Sequence, residues 1–141
     1  MAVVKHTDKD VALLARLMRA EAEGDGDLGM LMVGNTGINR VISDCLDFTD
    51  IRTINDMVYQ SPGGFEATQK GYFYQRARES EKRLARRVIQ GERQHPATNS
   101  LWFFMPAGAC PAQWYGQSNV GRFKSHCFFA PTAEECPSVF R

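Results

Sequence analysis

The hydrophobic pattern of this chain changes once, and that change limits what it can fold into. Up to about residue 93 the apolar residues recur at helical spacing. From residue 100 onward they are aromatic and alternate in places. Helices first and a small sheet afterwards, in 141 residues with no linker or repeat, predict one α+β domain spanning 1–141. A 43% hydrophobic and 23% charged composition gives enough apolar surface for a core. The net charge of +1 provides no general attraction to nucleic acid or to an anionic membrane. No apolar run approaches the ~20 residues that span a bilayer. MAVVKHTDKD contains no long apolar stretch of the kind found in secretory signals, so synthesis in the cytoplasm without export is expected.

The first helix is read from LLARLMRAEAEG, residues 13–24. Leu14, Leu17, Met18 and Glu21 follow the i, i+3, i+4, i+7 rule and share a face. Thr7 and Asp10 suit a capping box at its start, and Gly24 suits its end. Glu21 thus stands on the apolar stripe, where burying a charge is costly. It is either a carboxyl held in an apolar setting for chemistry or a residue of a frayed last turn. EGDGD at 23–27 reads as a flexible polar turn; its resemblance to a calcium loop fails on spacing.

LGMLMVGNTGINRV at 28–41 predicts a second, more buried helix, with Leu28, Leu31, Met32 and Ile38 as apolar surface. Gly34 and Gly37 lower its propensity and are tolerable where another element packs closely; a break near Gly37 is the alternative. A short helix at 53–59 begins on Thr53, and SPGG at 61–64 is a turn. FEATQKGYFYQ, with Glu66, has no clean period and reads as a cleft wall or as a loop with aromatic anchors. Residues 76–93 predict a helix with a narrow apolar face and a solvated charged remainder, including a Glu79–Arg83 pair. SLWFFMP (100–106) and VGRFKSHCFF (120–129) read as strands, separated by a loop containing Trp114 and Tyr115.

Phosphate-binding loops, zinc-protease and serine-hydrolase motifs are all missing from the sequence. Cys45, Cys110, Cys127 and Cys136 have no C-x-x-C spacing, so no metal site is expected and free thiols are the favoured reading, with a disulfide possible outside the cell. His126 and Cys127 are neighbours on a strand and point to opposite faces, which excludes them as a nucleophilic pair. His126 by itself is compatible with a structural or a functional role. Glu21 remains, with a supply of aromatics: Tyr72, Tyr74, Trp102, Phe103, Trp114 and Tyr115. A carboxylic acid in an apolar pocket with flat rings beside it is the composition of a carbohydrate site.

AEAEG after an apolar helix, INR in the next helix, then YQSPGGFEA, GYFYQRA, LWFF, CPAQWY and FKSHCFF resemble the spore cortex-lytic cell-wall hydrolases of endospore-forming bacteria, over nearly the whole chain. The short, signal-less germination hydrolases are the closer likeness. The resemblance implies a lysozyme-like α+β fold, action on cortex peptidoglycan and no cofactor. It implies Glu21 as the catalytic acid, Glu23 as a surface residue, and Asn39 and Arg40 as anchors of the segment carrying Glu21. Glu66, Tyr72, Tyr74, Phe103, Trp114 and His126 complete the candidate substrate-binding set. It further implies a spore-coat location, reached from the mother-cell cytoplasm without a signal peptide. A coat adaptor protein and a response to calcium dipicolinate are also implied. Three alternatives stay open: a hydrolase with a second carboxylate at Glu66, a non-catalytic glycan- or coat-binding protein, and a thiol-dependent enzyme.

Overall fold

A computed structural model describes residues 2–140. Four helices, α1 (Asp8–Ala22), α2 (Gly26–Ser43), α3 (Ile54–Val58) and α4 (Glu79–Ile89), precede four strands, β1 (Trp102–Phe104), β2 (Gln113–Trp114), β3 (Gln117–Phe123) and β4 (His126–Ala130). Helix α1 starts as predicted: Thr7 Oγ1 accepts from the Asp10 amide and the Asp10 carboxylate accepts from the Thr7 amide. It stops at Ala22, before Gly24. Helix α2 runs unbroken through Gly37 and is buried on almost every side, which identifies it as the central rod of the core. Its glycines are contact points. A Cβ on Gly34 would come within 2.9 Å of Val88 and 3.0 Å of Met18, and one on Gly37 within 2.9 Å of Met57. Leu28, expected on the apolar face, is 46% exposed, because α2 begins two residues earlier and its first turn lies outside the core.

Helix α4 is shorter than predicted, and its charged side is not wholly solvated. Glu81 is buried and paired with Arg19 of α1 at 3.2 Å. Glu79 meets Lys82 at 3.5 Å instead of Arg83. Arg19 also donates to the Tyr72 and Arg76 carbonyls, which binds the 3-10 turn Gly71–Tyr74 against the helices.

The sheet is antiparallel in the order β1-β4-β3-β2. The stretch 120–129 is two strands joined at Lys124 and Ser125, with Lys124 at φ 49°. The expected loop between the strand regions holds β2, which pairs Trp114 with Gln117 across a tight turn where Tyr115 (φ 51°) and Gly116 (φ 82°) both take positive φ. The favoured reading of the cysteines is corrected. Cys45 is bonded to Cys136 and Cys110 to Cys127, so among the described residues no thiol is free. The first bridge joins the end of α2 to the C-terminal turn, and the second fixes the 105–112 loop to β4.

Candidate active site

The end of α1, the turns at 60–70 and the edge of the sheet enclose a cleft of about 1210 Å³. Glu21 lines it from the last turn of α1, where the helical stripe that builds the core runs out into open space. Burial raises its pKa above the ordinary glutamate range. The Ala67 amide, which donates to Glu21 Oε1 at 3.3 Å, and the nearby Lys70 pull the other way, while the Glu66 carboxylate adds to the rise. Glu21 is therefore a carboxyl that holds its proton more firmly than an ordinary glutamate and lines a groove.

Arg40 is a buried cation lining this groove. Its side chain is buried and its pKa is pushed down to about 10 by that burial, opposed by the Glu21 charge. The guanidinium lies over Phe48 at 4.9 Å and Phe65 at 4.6 Å and donates to the Leu101 and Gly63 carbonyls. It holds the 61–64 turn and the entry to β1, so its anchoring role differs from the expected one of bracing the Glu21 segment. Asn39 likewise holds the carbonyls of Thr98 and Ser100.

On the opposite wall Phe103 stacks on Phe65 at 5.8 Å, and Trp114 lies against Phe104 at 4.5 Å and Phe129 at 5.6 Å. Trp114 and the 63% exposed Met105 extend the wall outward. His126 lines the cleft beside Phe103, whose ring meets it edge-on at 5.4 Å. Glu66 is exposed on the rim. The structure thus brings Glu21, Glu66, Phe103, Trp114 and His126 to one groove. Tyr72 and Tyr74 do not line it: Tyr72 donates to exposed Glu23, and Tyr74 donates to the Thr68 carbonyl at 2.8 Å.

Sequence reasoning missed Asp25. The stretch read as a flexible turn is a 3-10 turn, Glu23–Asp25, followed directly by α2, and Asp25 is buried. Its Oδ2 lies 2.8 Å from His126 Nδ1, and Ser125 Oγ lies 2.8 Å from both carboxylate oxygens. Burial works against ionisation of Asp25, but the bonds from His126 and Ser125 outweigh it and hold the carboxyl below its usual range. Among the described residues no group of three or more His, Cys, Asp or Glu is arranged to hold a metal ion.

The cell wall hydrolase family pattern matches residues 24–129. The chain is 84% identical over 141 residues, the full length of both, to the cell wall hydrolase CwlJ of Oceanobacillus iheyensis. Its fold is similar to the catalytic domain of Bacillus cereus SleB, with a TM-score of 0.70 and 24% identity over 89% of this chain and 92% of that one. It is also similar to the catalytic domain of the germination-specific lytic transglycosylase SleB of Bacillus anthracis, at 0.69 and 22% identity over 88% and 96%. At such identities the structural likeness establishes a common fold. A fold with SleB-like architecture and a full-length match to CwlJ place this chain in the CwlJ cell wall hydrolase family.

Proposed function

We propose that the chain cleaves glycosidic bonds of spore cortex peptidoglycan, with Glu21 as general acid and then general base. The observation that carries this reading is a carboxyl, raised in pKa by burial, that lines a groove with aromatic rings on one wall. Protonated Glu21 gives its proton to the glycosidic oxygen as the bond to the anomeric carbon breaks. The resulting carboxylate then takes the proton of the attacking hydroxyl. When that hydroxyl is on C6 of the same muramic acid, the product is a 1,6-anhydro ring, and one carboxyl is sufficient. This is the activity named for the Bacillus anthracis structure of the same fold. Phe103 and Trp114, which line the groove, offer flat faces to the sugar rings.

Hydrolysis is the second reading, favoured by Glu66 on the rim of the same groove. A water nucleophile needs a second carboxylate, about 5–5.5 Å from the first with retention or about 6.5–9.5 Å with inversion. We also propose a coat location. The two disulfides fit a compartment more oxidising than the cytoplasm.

Digestion of purified cortex by the wild type and by Glu21→Gln, with mass spectrometry of the fragments, tests the proposal. Anhydro-muramic ends from the wild type alone are the expected result. Reducing ends that carry an added water would transfer the second step to Glu66. Equal fragments from both proteins would remove Glu21 from the reaction.

A further inference from the structure

His126 is buried, yet among the described residues only one of its ring nitrogens has a hydrogen-bond partner. Nδ1 is 2.8 Å from Asp25 Oδ2 and 3.3 Å from Ser125 Oγ. Nε2 has no hydrogen-bond partner among the described residues, and it is not among the polar atoms sealed without one. The ring lines the cleft, and its plane is fixed by Asp25 on one side and by the Phe103 edge on another. Asp25 is an acceptor with no proton to give, so the hydrogen of a neutral His126 resides on Nδ1. Nε2 is then a bare acceptor on a ring that lines the groove. A histidine kept only for packing has no need of a buried aspartate and a serine to select its tautomer.

Resting on the assignment of this cleft to a glycan, we infer that Asp25 holds His126 in the Nδ1–H tautomer so that Nε2 accepts a hydrogen bond from a hydroxyl or acetamido N–H of the amino sugar bound beside Glu21. Asp25 is thus a positioning residue and His126 a substrate contact. The pair also ties the 3-10 turn that follows the Glu21-bearing helix to the tip of the β3–β4 hairpin. One bond network thereby sets the acid and the acceptor at a fixed separation. Asp25 lies four residues beyond Glu21, and Ser125 and His126 lie at the hairpin tip.

Asp25→Asn tests this with little change of shape. An asparagine amide can donate to Nδ1, which moves the ring hydrogen to Nε2 and turns the acceptor into a donor. Ser125→Ala removes one bond to Asp25 and leaves the tautomer unchanged. Steady-state cleavage of soluble cortex glycan strands is measured for both, alongside thermal midpoints, with Glu21→Gln as the reference for loss of chemistry. The expected result is a rise in KM of at least about tenfold for Asp25→Asn, against less than about threefold for Ser125→Ala. His126→Phe, which keeps a ring against Phe103 and has no nitrogen, is expected to match Asp25→Asn and decides the matter if that variant fails to fold. Wild-type KM in Asp25→Asn or in His126→Phe, with Glu21→Gln inactive, overturns the inference while leaving the Glu21 assignment intact. Equal rises in Asp25→Asn and Ser125→Ala also overturn it, since the effect would then follow lost packing and not the tautomer. An active Glu21→Gln would instead overturn the reading on which the inference rests.

Discussion

Arg19 in α1 and His126 in β4 are both buried, and each is partnered by a buried carboxylate. Their surroundings differ. Arg19 spends both terminal nitrogens on Glu81 and on backbone carbonyls of the 71–76 segment, and both oxygens of Glu81 are taken by Arg19 and Arg78. Among the described residues His126 Nε2, at the wall of a cleft, has no hydrogen-bond partner. The disulfides divide in the same way. Cys45–Cys136 closes a separation of 91 residues around the helical core, whereas Cys110–Cys127 closes 17 beside the cleft. A polar pair with no open donor or acceptor toward a groove serves to hold elements together. A pair that presents an open atom there is available to a ligand. The helical half of this molecule is built in the first manner and the sheet in the second.

The disulfides give the largest test of that division. In the chain-entropy account a bridge stabilises by restricting the unfolded chain, by about 4–5 kcal/mol for a loop near the length closed by Cys45–Cys136 and about 3 kcal/mol for the shorter one. Replacing Cys45 and Cys136 with alanine should therefore lower the denaturant midpoint more than replacing Cys110 and Cys127. Only the second pair is expected to weaken cleavage per folded molecule, because its loop leads into the Trp114 wall. Weakened cleavage in the first pair would show that the two halves are not separable in this way.

Arg19→Met comes next. It removes the Arg19 bonds to the Tyr72, Gln75 and Arg76 carbonyls and leaves Glu81 with Arg78 alone, and breaking one side of a buried pair costs about 3–5 kcal/mol. Chemical denaturation should show that loss, with the rate per folded molecule retained. A fall in rate without a fall in stability would move the Arg19 network into the functional half.

Glu21→Gln should act in the opposite sense. Burial raises the pKa of Glu21, so the native state holds its proton more firmly than the unfolded state does. Stability is therefore lost as pH rises from the ordinary glutamate range through the raised value. The glutamine variant has no such loss. Its melting temperature should coincide with that of the wild type at acid pH and exceed it near neutrality, while cleavage falls by about 10²–10⁴. Parallel melting curves across pH would show that Glu21 sits in no costly environment.

What was legible in the sequence followed distance along the chain. The Thr7 box, the Thr53 cap and the central burial of α2 depend on neighbours within a few residues, and each is where the pattern placed it. Glu21 was visible because a helical stripe exposes an acid that does not fit it. Asp25 was not, since its meaning lies with His126, 101 residues away, and locally EGDGD carries only turn chemistry. The hairpin within 120–129 was hidden for a related reason. Its turn places Lys124 at positive φ with no glycine or asparagine to signal it. The pairing of the four cysteines, and the course of Arg40 beneath the 61–64 turn, likewise needed the folded chain.

The smallest expected effect concerns Trp114, and it measures how far the sheet's functional character extends from Glu21. The ring is half-buried, supported from beneath by Phe104 and Phe129, and its free side belongs to the cleft. Trp114→Ala removes that face from a two-residue strand at the end of the sheet, away from the helical core. The loss of one aromatic contact with a sugar is on the order of 1–2 kcal/mol, which is about five- to thirtyfold in affinity. That loss should appear in KM for long glycan strands and vanish for fragments too short to reach from Glu21 to Trp114. Stability should change little, because Cys110–Cys127 still holds the neighbouring loop. An equal loss on short and long strands would place Trp114 beside the scissile bond. No loss on either would confine the sugar-binding wall to Phe103 and the residues next to Glu21.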